Sequence, residues 1–457
     1  MIERTADTTL ETLGYKPKFK RVLTRWDLIL YGLVILTPTA PYPVYGIVQQ
    51  LSNGHAPLSY LVAMVAMLFT AASYGKMSGA FPVAGSTYAY TQRGLNEHLG
   101  FLAGWAMILD YMLIPLLSVV YAGLTANRLL PEVPYFIWAV LFTTLITVVN
   151  VRGIRVTARA GAVLVAIMTA SCALFFWLAV RFVVSTRGAT ALLQPSAVLN
   201  PETFSLSPLM LGAGIATLSY IGFDAVSTLA EDTVRPERDI SAATIAVCLL
   251  GTMVFFLTVY LAALVWPVGK PFPQVDTAIM DISSLIGGPW MLGWISFVLL
   301  VAGVSSALGG QAGASRLLFG MGRDAAISKR IFGHVDARTA TPVRAVYVMG
   351  GVALLGSLVA RFQLLVELLN FGAFVGFILV NLSVISHYYF RLRRRNGLAF
   401  LTNLVFPLLG ALVCTWVWMS LTWKAKLVGF LWMGVGAAYL AIITKGFRVK
   451  PRQLEIS

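Results

Sequence analysis

The chain has 457 residues, 58% of them hydrophobic and 12% charged, with a formal net charge of +15. That balance excludes an ordinary water-soluble domain, in which about 25% of residues are charged. Residues 28–75 and 282–315 contain no Asp, Glu, Lys or Arg, and each run exceeds the roughly 20 apolar residues that cross a bilayer.

The first 25 residues are polar and basic, with Lys16, Lys18, Lys20, Arg21 and Arg25. The apolar run behind them is too long for a signal peptide and lacks a cleavage pattern, so segment 1–25 is expected to be retained in the cytoplasm. Apolar runs between polar punctuation then predict twelve membrane helices, at 27–51, 58–80, 98–127, 134–151, 159–185, 208–231, 240–266, 288–318, 342–360, 364–388, 400–421 and 425–444. Lys and Arg collect in loops that stay in the cytoplasm. With the N-terminus inside, most of the 34 Lys and Arg fall on that side, including Arg316, Arg323, Lys329, Arg330, Arg338 and Arg344. Both termini, with the tail 446–457, are expected there, in a bacterial inner membrane. Because the basic residues flank spans instead of forming one patch, nucleic acid is excluded as a partner.

The first and sixth spans are interrupted. Thr37-Pro38-Thr39-Ala40-Pro41-Tyr42-Pro43-Val44-Tyr45-Gly46 removes backbone donors in mid-span, and Ser219-Tyr220-Ile221-Gly222-Phe223-Asp224 sets a glycine and a carboxylate about halfway through. Paired interruptions suggest two inverted five-helix repeats, 26–185 and 208–388, followed by spans at 396–445, with a substrate site where the half-helices meet. The expected fold class is an all-α membrane protein with twelve transmembrane helices.

Each proline frees a carbonyl one turn earlier, which makes the first break rich in acceptors and suits it to an ammonium group. Asp110 and Asp224 lie inside spans, where acids are functional-site hypotheses by default. Asp110 either meets the substrate and carries a driving proton or bonds a neighbouring helix. Asp224 either meets the substrate or caps the helix that restarts after the break. Tyr42, Tyr45, Trp105, Tyr111, Tyr220 and Phe223 are candidate cation–π faces or simply fillers. Glu231 and Asp232, among Arg235, Arg238 and Asp239, read as an inner-gate ion-pair cluster, and Glu367 as an acid near an interface that reaches water.

Other classes of function are poorly supported. Cys172, Cys248 and Cys414 are spaced as small core hydrophobes. His55, His98, His334 and His387 lack ligand spacing, so no metal, cofactor or enzymatic constellation is expected. No segment reads as a channel selectivity filter. A nutrient sensor built on a carrier fold stays open, since sensing and transport can share one site.

Four stretches, FPVAGSTYAYTQRG from Phe81, GFLAGWAMILDYMLIP from Gly100, GFDAVSTLAED from Gly222 and SRLLFGMGRD from Ser315 followed by Thr341-Pro342, carry a resemblance. Over nearly its full length the chain resembles the amino acid–polyamine–organocation superfamily, and within it bacterial putrescine-importer-like permeases. The resemblance implies a twelve-helix, inverted-repeat carrier that works by alternating access, driven by a proton gradient or by exchange. It also implies an ion site in the region of Ser305 and Ser306, whose hydroxyls could join first-span carbonyls around sodium. The chain departs from the family in three places. Pro41, Tyr42 and Pro43 replace a Gly-Ser-Gly type break, Pro43 stands where putrescine importers carry an acid, and residues 160–180 lack the lysine of several proton-coupled members.

The expectation is therefore a secondary transporter of a small amine or amino acid, such as putrescine or a cationic or neutral amino acid, coupled to protons. The alternatives are exchange and sodium symport. The expected substrate residues are Thr39, Ala40, Tyr42, Tyr45, Gly46, Asp110, Tyr111, Ser219, Tyr220, Phe223 and Asp224, with Asp110, Glu231, Ser305 and Ser306 in coupling and gating. The expected partners are the substrate, the coupling ion and membrane lipid, and the protein is expected to be a monomer or weak homo-oligomer.

Overall fold

The structure is a computed structural model that describes residues 23–448, apart from 82–85, 153–154, 230–232, 267–268, 324–327, 335 and 337–340. Every regular element among the described residues is helical, with two isolated bridges, Leu23 to Thr233 and Asp336 to Thr341. Nine helices there are long and apolar enough to cross a membrane, and Leu206–Tyr220 and Val343–Val359 are shorter apolar helices. The shortfall from the expected spans falls on the two interrupted ones and on the 17-residue Val343–Val359.

The first span is two helices, α1 (Arg25–Leu36) and α2 (Tyr45–Leu51). A capping box starts α1, with the Thr24 amide donating to Asp27 at 2.8 Å. Pro38, Pro41 and Pro43 then force a run of turns that begins at Thr37, whose φ is +49°. Next come α3 (Ala56–Ala80), the short α4 (Ser86–Gly94), and α5 (Glu97–Leu129), which Asn96 caps through the Leu99 amide at 2.9 Å. α6 (Tyr135–Arg152) and α7 (Arg155–Arg187) complete the first half of the chain.

The sixth span opens as α8 (Leu206–Ala216), tightens into a 3₁₀ turn at Thr217–Tyr220, and resumes as a second 3₁₀ segment, Phe223–Leu229. Between them Gly222 has φ +116°, a conformation that a side chain would strain. α2 packs on α8, and α1 packs on the Phe223–Leu229 segment, so each half of one broken span meets a half of the other.

α9 (Pro236–Val265) lies along α3, and α10 (Ala278–Arg323) along α5. α10 begins at Ala278, earlier than the expected 288, because an extra helical segment precedes a kink at Gly288 (φ +67°) and Pro289. α11 (Val343–Val359), α12 (Phe362–Val384), α13 (Phe406–Ser420) and α14 (Trp423–Ile443) follow, and α12 runs on as a π-helix through Ile385–Arg391.

α12 packs against both α4 and α5. Gly372 permits a close approach to α5, since a Cβ there would stand 2.6 Å from the Ala106 carbonyl oxygen. Where the broken spans, α3 and α12 converge, the core is aromatic, with Tyr42, Tyr60, Tyr74, Tyr90, Tyr220, Phe223 and Phe377 all buried. The outer face of α14 shows Phe430, Leu431 and Val435 more than half exposed, an apolar surface that suits lipid rather than water.

Candidate functional site

The side chains of the first break turn toward α7. Thr39 Oγ1 lies 3.3 Å from Met168 Sδ, and the Tyr42 hydroxyl lies 3.6 Å from Cys172 Sγ, with its ring 5.7 Å from Phe175. Cys172 Sγ in turn donates to the Pro38 carbonyl at 3.4 Å. The thiol therefore occupies the interface between α7 and the break, beyond the filler role that its spacing suggested. Ala40 is half-buried against the main core.

Tyr45 and Gly46 face the opposite way along α2. The Tyr45 ring sits 6.1 Å from Phe272, and its buried hydroxyl makes no hydrogen bond among the described residues. A Cβ on Gly46 would run into the Val275 carbonyl and stand 2.6 Å from the Ala278 Cβ. Gly46 is thus a close-packing position against the segment that leads into α10.

In the sixth break, Ser219 Oγ and the Tyr60 hydroxyl are 2.8 Å apart, and the Tyr220 hydroxyl reaches the Tyr60 carbonyl at 3.2 Å and Thr252 Oγ1 at 3.0 Å. These bonds tie the break to α3 and α9 and satisfy polar groups that burial would otherwise strand.

Phe223 and Asp224 open into a different space. The Phe223 ring is 5.6 Å from Tyr74 and 5.3 Å from Phe377, and Tyr74 is 6.0 Å from both Tyr90 and Phe377. The Tyr74 hydroxyl meets Thr87 Oγ1 at 2.5 Å. Asp224 stands in the first turn of Phe223–Leu229, where a carboxylate suits the exposed N–H groups.

Asp110 lies in the middle of α5, whose packing on α12 brings its backbone N–H near Gly372. It is 3% exposed, no hydrogen bond to it occurs among the described residues, and its Oδ1 is buried and unsatisfied. Asp110 and Asp224 are close enough to interact electrostatically. The ion pairs between described residues are Arg25–Asp239, Arg235–Asp239 and Arg128–Asp281, and none involves Asp110. A buried carboxylate without hydrogen bond or counter-charge is destabilising by several kcal/mol. Two carboxylates within electrostatic reach of each other are suited to receiving a cation.

The remaining expected residues lie elsewhere. Trp105 stacks on Trp432 at 5.0 Å and donates to its carbonyl at 3.0 Å, facing α14 and away from Asp110. Tyr111 packs beside the cluster of Ala314, Leu318, Ala345 and Met349 while staying within electrostatic reach of Tyr74. Ser305 is half-buried and Ser306 is exposed on the flank of α10. Glu231 and Asp232 lie outside the described residues. Glu367 does not reach water. It is 1% exposed and accepts Gln363 Nε2 at 2.9 Å, the Thr422 amide at 3.0 Å and the Thr422 hydroxyl.

Tyr74, Thr87, Tyr90 and Phe377 were not among the expected site residues. Thr87 and Tyr90 fall within the FPVAGSTYAY stretch, which was read for resemblance alone. Phe374 and Phe377 share one face of α12 at helical spacing, and that spacing was the available signal.

A family model described as amino acid permease matches residues 44–446. The chain is similar to the low-affinity putrescine importer PlaP of Escherichia coli strain K12, at 32% identity over 442 residues, covering 96% of this chain and 97% of that protein. It is also similar to the branched-chain amino acid permease BcaP of Bacillus subtilis, at 27% identity with 94% of each chain covered. A third relative is the vacuolar cationic amino acid transporter 4 of Arabidopsis thaliana, at 26% identity over 79% of this chain and 62% of that one. With its apolar helices and a family match across almost the whole described chain, the protein is an integral membrane protein of the amino acid permease family, within the amino acid–polyamine–organocation superfamily.

Proposed function

We propose that the protein is a secondary active transporter of a small organic amine, with putrescine as the leading substrate and cationic or neutral amino acids next. It takes up its substrate across the bacterial inner membrane with the proton as coupling ion. The observation that carries this reading is Asp110, a buried carboxylate with an unsatisfied oxygen, within electrostatic reach of Asp224, whose neighbour Phe223 packs on Tyr74 and Phe377. An ammonium or a proton arriving there relieves the desolvation of the acid, so the site favours a cation. The similarity to a putrescine importer and to a cationic amino acid transporter supports a cationic substrate.

Twelve spans in two inverted repeats, 26–185 and 208–388, with both termini cytoplasmic, form the architecture within which this works. The reciprocal packing of α2 on α8 and of α1 on Phe223–Leu229 supports it, because half-helices that meet head to head are hinges for alternating access. Arg25 on Asp239, at 2.9 Å, and Arg128 on Asp281 are then latches at opposite ends of the bundle. The exposure of Ser306 weighs against a sodium site on α10.

The test is uptake of labelled putrescine, lysine and leucine into proteoliposomes with an imposed pH gradient, alongside equilibrium binding. Gradient-driven accumulation of an amine supports the proposal. Binding without accumulation of any of the three would favour a sensor, and exchange for internal amine without gradient dependence would favour an antiporter.

A further inference from the structure

Away from this site, a cleft of about 720 Å³ opens at the end of the bundle where α3 and α12 finish. Lys76, His387 and Arg394 line it, and Glu237 lies on its wall. Lys76 Nζ donates to the Thr402 carbonyl at 2.8 Å and to Asn403 Oδ1, which leaves one of its three N–H donors for the cleft. The Lys76 ammonium is 5.4 Å from the centre of the Tyr388 ring, and the Arg394 guanidinium is 5.9 Å from the same ring. Two cations thus lie against one aromatic ring and feel each other's charge. Glu237 forms no ion pair with either among the described residues. Neighbouring like charges are stabilised by an anion placed between them.

The rim shows what kind of anion. Leu392 and Leu398 line the cleft and are 47% and 79% exposed, and Phe390 and Phe400 beside them are also exposed. An occupant that satisfies the whole surface therefore has a negative head and an apolar body. The cleft also sits where the membrane-crossing helices Ala56–Ala80 and Phe362–Arg391 end, which is headgroup depth. We propose that this cleft binds an anionic phospholipid, with the phosphate between Lys76 and Arg394 and an acyl chain along Leu398 and Phe400. The proposal does not depend on what the protein transports. It does join α3, α9 and the segment 398–403 that leads into α13 through a single bound lipid, so occupancy would bear on how α3 moves against that segment.

The test is binding of fluorescent phosphatidylglycerol to the purified full-length protein in phosphatidylcholine nanodiscs, with three competitors: unlabelled phosphatidylglycerol, additional phosphatidylcholine and inorganic phosphate. Competition by phosphatidylglycerol alone is expected, with about fivefold weaker binding in Arg394→Gln and in Lys76→Gln, in keeping with the contribution of one cation near a lipid surface. Lys76 also holds the Thr402–Asn403 segment, so Arg394, whose guanidinium makes no hydrogen bond among the described residues, is the deciding variant. Equal competition by phosphatidylcholine, competition by inorganic phosphate alone, or unchanged affinity in Arg394→Gln would each overturn the proposal.

Discussion

Glu367 on α12 accepts both the backbone N–H of Thr422 at 3.0 Å and the Thr422 hydroxyl, at the point where α14 begins. The carboxyl also takes a bond from Gln363 at 2.9 Å. A negative group at a helix N-terminus satisfies an orphan donor and complements the dipole. Glu367→Ala leaves three half-buried donors without an acceptor, so a loss of about 1–3 kcal/mol of stability is expected. Thr422→Ala removes one of those donors together with its partner bond and should cost about half as much or less. Thermal unfolding of the two purified variants checks the ranking, and equal loss in both would show that Glu367 does not organise this junction.

Gly46→Ala should impair folding and uptake together. Its new Cβ collides with the Val275 carbonyl, which is backbone and cannot swing away, so α2 must shift from the segment leading into α10. Overpacking of this kind is destabilising by about 1–3 kcal/mol. A Gly46→Ala variant with wild-type melting and uptake would contradict the observed approach of α2 to that segment.

Phe377 separates packing from recognition. Phe377→Ala removes a buried ring that touches Tyr74, Phe223 and Phe374 and should destabilise by about 3–5 kcal/mol. Phe377→Leu keeps most of the volume and loses the quadrupole, so amine affinity should fall about two- to fivefold with little change in melting. If Phe377→Leu binds the amine as tightly as wild type, the aromatic wall takes no part in holding the cation.

Topology is open to chemical labelling because Cys172, Cys248 and Cys414 are all buried and contribute little background. Ser328 is exposed next to the basic segment Lys329–Phe332. A thiol at Ser328→Cys should react with an impermeant maleimide in inverted vesicles and stay unlabelled in intact cells. Labelling from outside would reverse the orientation inferred from the charge distribution.

The interrupted spans were legible in the sequence because proline and glycine act locally. Pro38, Pro41 and Pro43 lack amide hydrogens wherever the rest of the chain goes, and Gly222 tolerates its φ of +116° without help. The site around Asp110 was legible only in part, because neighbours in sequence are not neighbours on a helix. Tyr111 is rotated about 100° from Asp110 and packs toward α10 and α11, while Trp105 turns to α14. Residues three and four earlier, Met107 and Ala106, share the face of Asp110 and meet Gly376 and Gly372 of α12. Tyr74, Thr87 and Tyr90 depend on how α4 folds back across α5 and α12, a tertiary arrangement that no local pattern encodes. Glu367 misled for the same reason: its place near a span end suggested water, and the turn before α14 covers it.

The central claim is that Asp110 receives the ammonium of the substrate, and equilibrium binding of putrescine to purified wild type and Asp110→Asn tests it most directly when melting is measured on the same samples. Asparagine keeps the shape and removes the charge. The account predicts that affinity falls about thirtyfold or more, as expected when a desolvated ion pair loses one partner, while the melting temperature of the unliganded protein stays level or rises because an unsatisfied buried carboxylate has been neutralised. Uptake in the variant should also lose its dependence on the pH gradient. Unchanged putrescine affinity in a well-folded Asp110→Asn protein would contradict the account and leave the backbone carbonyls of the two breaks as the cation site.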